Sequence, residues 1–160
     1  MIPQNISSAL HLIANGVFVV AASHEGETHG CTVTWASQAS YRHPLLTVSL
    51  DKRHDTYKLI ESSHRLVINV LKASQADLAE QFGHATRPPQ GGYFREEGGQ
   101  LLPELKDCLA VIHCDVVDTL DARDHAVLLV EAKEARVLAK GDPLLYSIDH
   151  GYMTPQPKQA

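Results

Sequence analysis

The sequence predicts a mainly β domain with short helices, antiparallel or barrel-like. Three observations carry that reading. Apolar runs of strand length recur at residues 17–22, 45–50, 67–71 and 108–117. Clusters of Gly, Pro, Asn, Asp and Ser separate them. Helical spacing appears only in short stretches. A length of 160 residues fits one domain. Residues 1–152 read as that domain and 153–160 as a flexible, Pro-rich tail.

Ile6, Leu10 and Ile13 fall at helical spacing, with Ala9 and Leu12 beside them. Asn5 or Ser7 can cap this helix, and Asn15-Gly16 supplies a left-handed stop. Residues 17–22 form a mostly buried strand, because their apolar run is unbroken. Residues 23–28, with Gly26, read as a hairpin turn. The return strand runs through Gly30 toward Trp35. Pro44 opens the next strand, 45–50, where its missing N–H does least harm. Asp51, Lys52, Arg53 and His54 form a charged loop. Asp55 is a good N-cap for a helix over 56–62, with Leu59 and Ile60 facing inward.

A strand follows at 67–71. Ser74 caps a further helix, with Asp77 three residues on in a capping-box arrangement. Ala79 and the Leu78/Phe82 pair make its apolar face, and Gly83 ends it. Residues 84–100 contain Pro88-Pro89, Gly91-Gly92 and Gly98-Gly99. They read as one long loop, of a length that is usually functional or disordered. Then come a strand over 108–117, a polar turn over 118–124 and a long strand over 126–139. A turn at 141–143 precedes a last apolar segment at 144–146. The tally is about six strands.

Composition narrows the function. Apolar content of 44% and charged content of 21% are globular values. A net charge of -5 argues against nucleic acid as the main partner, since phosphate backbones demand a basic face. No apolar run approaches the roughly 20 residues that span a bilayer. The N-terminus has no basic n-region of a secretory signal. Cys31, Cys108 and Cys114 are an odd count without a C-x-x-C pair. Free thiols in a reducing cytoplasm fit that better than a disulfide framework. No H-x-x-x-H, C-x-x-C or H-E-x-x-H spacing exists, so no metal is expected. G-x-S-x-G, the P-loop and G-x-G-x-x-G are all absent.

The stretch with most chemical character runs from Gly30 to Ser40. Thr32, Thr34, Ser37, Gln38 and Ser40 offer hydroxyls and an amide around Trp35, the chain's only tryptophan. Such groups hold phosphate oxygens and ring edges rather than break bonds. Strand alternation ends near Trp35, which frees backbone N–H groups beyond it for a ligand. The plain alternative is a Thr-rich edge strand running into a polar loop. Lys52, Arg53 and Thr56 lie at a strand-to-helix junction, where free N–H groups and the helix dipole bind anions. The alternative there is a solvated charged loop. His125 lies in a turn and can hydrogen-bond a cofactor or shuttle a proton. It is one of ten histidines, any of which can be a plain turn residue.

Taken together, these segments resemble the flavin reductase family, the FMN-binding split β-barrels that include flavoredoxin. The resemblance rests on Gly16-Val-Phe-Val-Val and on Gly30-x-Thr32-x-Thr34-x-x-Ser37-x-x-Ser40-x-x-x-Pro44. Thr56, the strand 67–71, Leu78-Ala-x-x-Phe82, residues 109–114, Asp124-His125 and Pro143-Leu-Leu-Tyr146 follow in order. Trp35-Ala-Ser-Gln-Ala-Ser40 is especially similar to the flavin reductase modules of flavodiiron proteins.

The resemblance implies FMN, or FAD, held by Thr32, Thr34, Trp35, Ala36, Ser37, Gln38 and Ser40, by the loop of Leu50, Asp51, Lys52 and Arg53, and by Thr56. Phe82 and Gly83 would lie near the ring system or its neighbour across a homodimer. His125 matches a histidine associated with the nicotinamide of NADH or NADPH. The implied activity is an NAD(P)H:flavin oxidoreductase serving a monooxygenase or other redox protein; an FMN electron carrier is the alternative. Two departures stand out. His43-Pro44 replaces the usual Pro-Pro. Arg123 replaces a glycine before Asp124-His125, where a side chain resists positive φ. Residues 84–100 are a candidate lid.

Overall fold

The computed structural model describes residues 1–83 and 92–155. Helix α1 (Gln4–His11) opens the chain, but neither Asn5 nor Ser7 caps it. Pro3 precedes it, and the Pro3 carbonyl accepts the Ser7 N–H at 2.9 Å. None of its residues is buried: Ile6 and Leu10 are each 47% exposed. Asn15–Gly16 is not a helix stop. It is a short strand, β1 (Asn15–Gly16), and a Cβ on Gly16 would meet the Phe18 ring at 2.7 Å. The glycine is required by close approach, not by a left-handed turn.

β2 (Phe18–His24) and β3 (Glu27–Val33) form the expected hairpin. Glu25 and Gly26 both take positive φ, which matches the turn to strand twist. β4 (Ala36–Gln38) and β5 (Leu45–Asp51) follow. α2 (Asp55–Ser63) is preceded by His54, so Asp55 is inside the first turn and does not cap it. Its carboxylate accepts from Lys58 Nζ at 2.7 Å instead. β6 (Arg65–Val70) leads to α3 (Ala76–Gly83), which starts after Gln75, so Ser74 lies in the preceding turn. The Gln75 side chain accepts the Lys72 N–H at 2.8 Å.

The expected long loop is partly sheet. β7 (Phe94–Glu97) and β8 (Gln100–Leu105) pair across Gly98 and Gly99, both at positive φ. Residues 84–91, where much of the candidate lid falls, lie outside the described residues. β9 (Ala110–Ala122) and β10 (His125–Val137) form a long ribbon. The polar segment 118–122 is therefore strand, and Arg123 and Asp124 alone make the turn. Its residues are polar because the ribbon's end is solvated on both faces. β11 (Leu145–Ser147) and β12 (Gly151–Met153) complete the fold. Met153, placed in the tail by sequence, pairs with Leu145; residues 156–160 of that tail lie outside the described residues.

Seven strands form one antiparallel sheet in the order β3-β2-β6-β9-β10-β5-β4. β3 and β4 are its two edges, yet only Thr34 and Trp35 separate them in sequence. A flat sheet of this size is about 29 Å across at the usual strand spacing, whereas that link reaches about 11 Å. The sheet must curl until its edges meet. Register shifts at Leu129/Val130 and Ala132/Glu134 in the β9–β10 ribbon help it bend. The result is a split barrel whose seam is closed by Thr34 and Trp35.

The two faces of β2 explain its unbroken apolar run. Val20 and Ala22 join Val48, Leu50, Ile60 and Leu66 inside the barrel. Val19 and Ala21 pack outward under α3 and the β7–β8 hairpin, against Phe82, Phe94 and Leu105. Glu104 on β8 is 4% exposed and ties that hairpin to the ribbon. Arg95 and Arg136 donate to its Oε2 at 2.5 Å, and His113 Nε2 lies 2.7 Å from its Oε1. Burial raises the Glu104 pKa, but hydrogen bonds from Arg136, His113 and Arg95 outweigh it and hold the carboxyl below its ordinary range.

Candidate functional site

The seam residue Trp35 organises the open face of the barrel. Its backbone is fixed, since its carbonyl accepts the Ser49 N–H at 2.8 Å. Its indole is 53% exposed and rests on His125, with centroids 5.2 Å apart and planes tilted by 51°. Three recesses meet at this ring. One of about 200 Å³ includes Cys31, Thr32, Thr34, Asp51, His54 and His125. A second of about 260 Å³ includes Ala36, Ser37, Thr47, Ser49 and Val127. A third of about 520 Å³ lies toward α1 and is walled by Leu10, Ile13, Tyr146 and Ile148.

β4 supplies the donors. It pairs only with β5 and leaves its other edge open. The Trp35–Ser49 and Ala39–Leu45 bonds set the alternation, so the N–H groups of Ala36 and Gln38 point to the open edge. Ser37, Gln38 and Ala39 are exposed. The Ser37 hydroxyl donates to the Gln38 carbonyl at 3.2 Å, and the Ser40 hydroxyl accepts the His43 N–H at 3.2 Å. Both keep further hydrogen-bonding capacity. The expected run of free N–H groups after Trp35 is thus half right, because every second one belongs to the β5 ladder.

The charged loop is more self-contained than its sequence suggests. Arg53 grips Asp51 through Nε and Nη2, the closest contact being 2.6 Å. Those bonds hold the Asp51 carboxyl well below the usual carboxylate range. Lys52 Nζ pairs with Asp121 and donates to the Arg123 carbonyl at 2.8 Å. Arg123 has φ +72, so it does adopt the left-handed conformation that a side chain was expected to resist. Its N–H donates to Asp121 at 2.9 Å, and with the Lys52 bond this offsets the strain. His125 Nδ1 lies 3.1 Å from Asp124. The Asp55 and Thr56 N–H groups at the start of α2, just beyond the end of β5, have no backbone acceptor, whereas those of Tyr57 and Lys58 bond the His54 carbonyl.

Several expected residues are placed otherwise. The Thr32 hydroxyl donates to the Ala79 carbonyl at 2.6 Å, so it anchors α3, although Thr32 also lines the His125 recess. The Phe82 ring is wholly buried against Tyr93 and Phe94 and has no surface for a ligand. Gly83 abuts Thr32. The Leu50 side chain and Thr56 are buried, Thr56 beside the Cys31 thiol. Burial pushes that thiol up to about 12, so it is no nucleophile. Among the described residues no cluster of His, Cys, Asp or Glu could hold a metal ion.

Asn15, Thr47, Ser49 and Val127 line the recesses without having been singled out in the sequence. The alternation Thr47-Val48-Ser49-Leu50 carried the signal. Val48 and Leu50 point into the core, which turns Thr47 and Ser49 to the open face.

The fold is a curled antiparallel split barrel with an open, donor-rich strand edge. Residues 10–154 match the flavin reductase like domain, and the chain belongs to that family. It is 30% identical to the 4-hydroxyphenylacetate 3-monooxygenase reductase component of Thermus thermophilus, over 93% of this chain and 94% of that protein. It is 31% identical to the reductase component of a 4-nitrophenol 4-monooxygenase/4-nitrocatechol 2-monooxygenase of Rhodococcus opacus, over 83% and 71%. The styrene monooxygenase flavin reductase of Pseudomonas putida S12 superposes with a TM-score of 0.82 at 26% identity, over 96% and 99%. Other relatives are longer: the chain spans 65% of the high molecular weight rubredoxin of Moorella thermoacetica. The residue types on the open edge are compatible with a flavin: N–H and hydroxyl donors suit a phosphate or ring edge, and Trp35 offers an aromatic face. Among the described residues no helix is long and apolar enough to cross a membrane.

Proposed function

We propose that the chain is an NAD(P)H:flavin oxidoreductase that holds FMN, with FAD as an alternative, along β4 and the start of α2. The observation that carries this is the pairing of an open strand edge with an exposed tryptophan beside His125. Bound flavin would supply the electron chemistry. The N–H groups of Ala36 and Gln38 and the hydroxyls of Ser37 and Ser40 orient it. The Asp55 and Thr56 N–H groups of α2 receive phosphate charge, with Lys52 and Arg53 re-pairing from Asp121 and Asp51 toward it. An Nδ1–H of His125 donated to Asp124 leaves Nε2 for the nicotinamide donor.

The rival reading, an FMN carrier without a nicotinamide site, rests on Arg123 in place of glycine and on the sparse sequence signal for a nicotinamide site. Arg123 takes positive φ, so its turn keeps the conformation a glycine would give, and the carrier stays the alternative reading. The relatives named as monooxygenase reductase components support a monooxygenase, or another redox protein, as the electron acceptor. A homodimer is supported by exposed apolar residues on α1 and its C-cap, Ile6 and Leu12, and along the outer half of β9, Val117 and Leu120. Anaerobic mixing of FMN-loaded protein with NADH and NADPH is the test. Bleaching of the flavin band is expected with at least one donor; a band that persists with both removes the reductase reading.

A further inference from the structure

Trp35 divides two recesses that are each too small for such a cofactor. They hold about 200 Å³ and about 260 Å³, while cofactor sites run from about 300 Å³ upward. Trp35 and Ser49 line both. Ser49 is fixed in the β5 ladder. The indole makes a tilted stack on His125, and Trp35 is half exposed. Trp35 also lines the apolar recess of about 520 Å³ beside α1, which does not include His125.

We propose that Trp35 is a gate: its indole rotates off His125 into the apolar recess when a planar cofactor binds, merging the two smaller recesses into one groove. The proposal rests on the flavin reading above. The Trp35 backbone stays in its bond to Ser49, so the movement is confined to side-chain torsions. Leu10, Ile13 and Ile148 offer apolar surface that the exposed ring lacks in its present position, which favours the move. The same rotation uncovers His125. Cofactor therefore binds first, and the nicotinamide donor reaches His125 afterwards.

Stopped-flow mixing of cofactor-free protein with FMN tests the gate. Trp35→Ala removes it and raises the association rate by about tenfold. Ile13→Phe narrows the receiving recess without touching the groove, and lowers that rate by about tenfold. Ile13 is 55% exposed, so the fold tolerates the larger ring; Leu10→Phe is a second variant of the same kind. Opposite shifts in the two rates support the gate. Rates that agree within about twofold across the wild type and these variants overturn it and leave the flavin reading intact. A wild-type protein that binds no FMN overturns both.

Discussion

Two polar clusters lie at opposite ends of the β9–β10 ribbon, and they use polarity in opposite ways. At the open end, Glu104 is buried and its carboxylate is spent on Arg95, Arg136 and His113. At the turn end, the hydroxyls and N–H groups around Trp35 face outward with capacity left over. The first cluster is closed, and its chemistry is consumed in holding the hairpin to the sheet. The second is open, and its chemistry is available to a ligand. Residue types do not separate them, since the structural cluster is the richer in charge. What separates them is whether the partners are already inside the protein.

Breaking the closed cluster has the largest expected effect. Glu104→Leu leaves two arginines without their carboxylate and costs about 3 kcal/mol of stability, read as a lower urea midpoint. FMN affinity of the folded protein should not change. The same carboxyl sets an acid limit. Its folded pKa lies below the unfolded value of about 4.3. Its pairing therefore stabilises fully above that pH and is lost as pH falls through the folded value. Acid unfolding of Glu104→Gln, which carries no titrating carboxyl, should depend less on pH in that window.

The open cluster should respond the other way. On the proposed function, Ser37→Ala with Ser40→Ala weakens FMN binding by about 1–2 kcal/mol and moves the urea midpoint little, because neither side chain is buried. Unchanged FMN affinity in this pair would move the site off β4. The smallest effect is expected at the turn between the two strands. Arg123→Gly relieves a left-handed side-chain residue and gains about 1 kcal/mol, measured by thermal unfolding, with the nicotinamide affinity preserved. A loss of nicotinamide binding there would show that the Arg123 side chain, and not only its backbone, serves the site.

Legibility from sequence followed the range of the interactions. The strands over 17–22, 45–50 and 67–71 were readable because burial writes itself into local pattern. Barrel closure through Thr34 and Trp35 was not, because it depends on strand order. Gly16 misled because a glycine demanded by the Phe18 ring looks the same in sequence as a helix stop. Gly98-Gly99 was read as loop, although between alternating residues it is a hairpin turn. The exposure of the hydroxyl-rich stretch was legible, while the partners of Thr32 and Phe82 were not. Whether a threonine serves a ligand or a helix is decided by what lies across from it, here the Ala79 carbonyl.

The seam has a consequence for synthesis of the chain. β4 has no neighbour but β5, and β5 is held in the sheet by β10, with Leu45 opposite Glu131 and Asp51 opposite His125. The groove beside Trp35 therefore cannot exist when its own residues leave the ribosome. It waits until residues 125–131 have emerged and paired. A nascent chain cut short before that point should carry the whole hydroxyl-rich segment and still lack the open edge of β4, so under the proposed function it should take up no flavin.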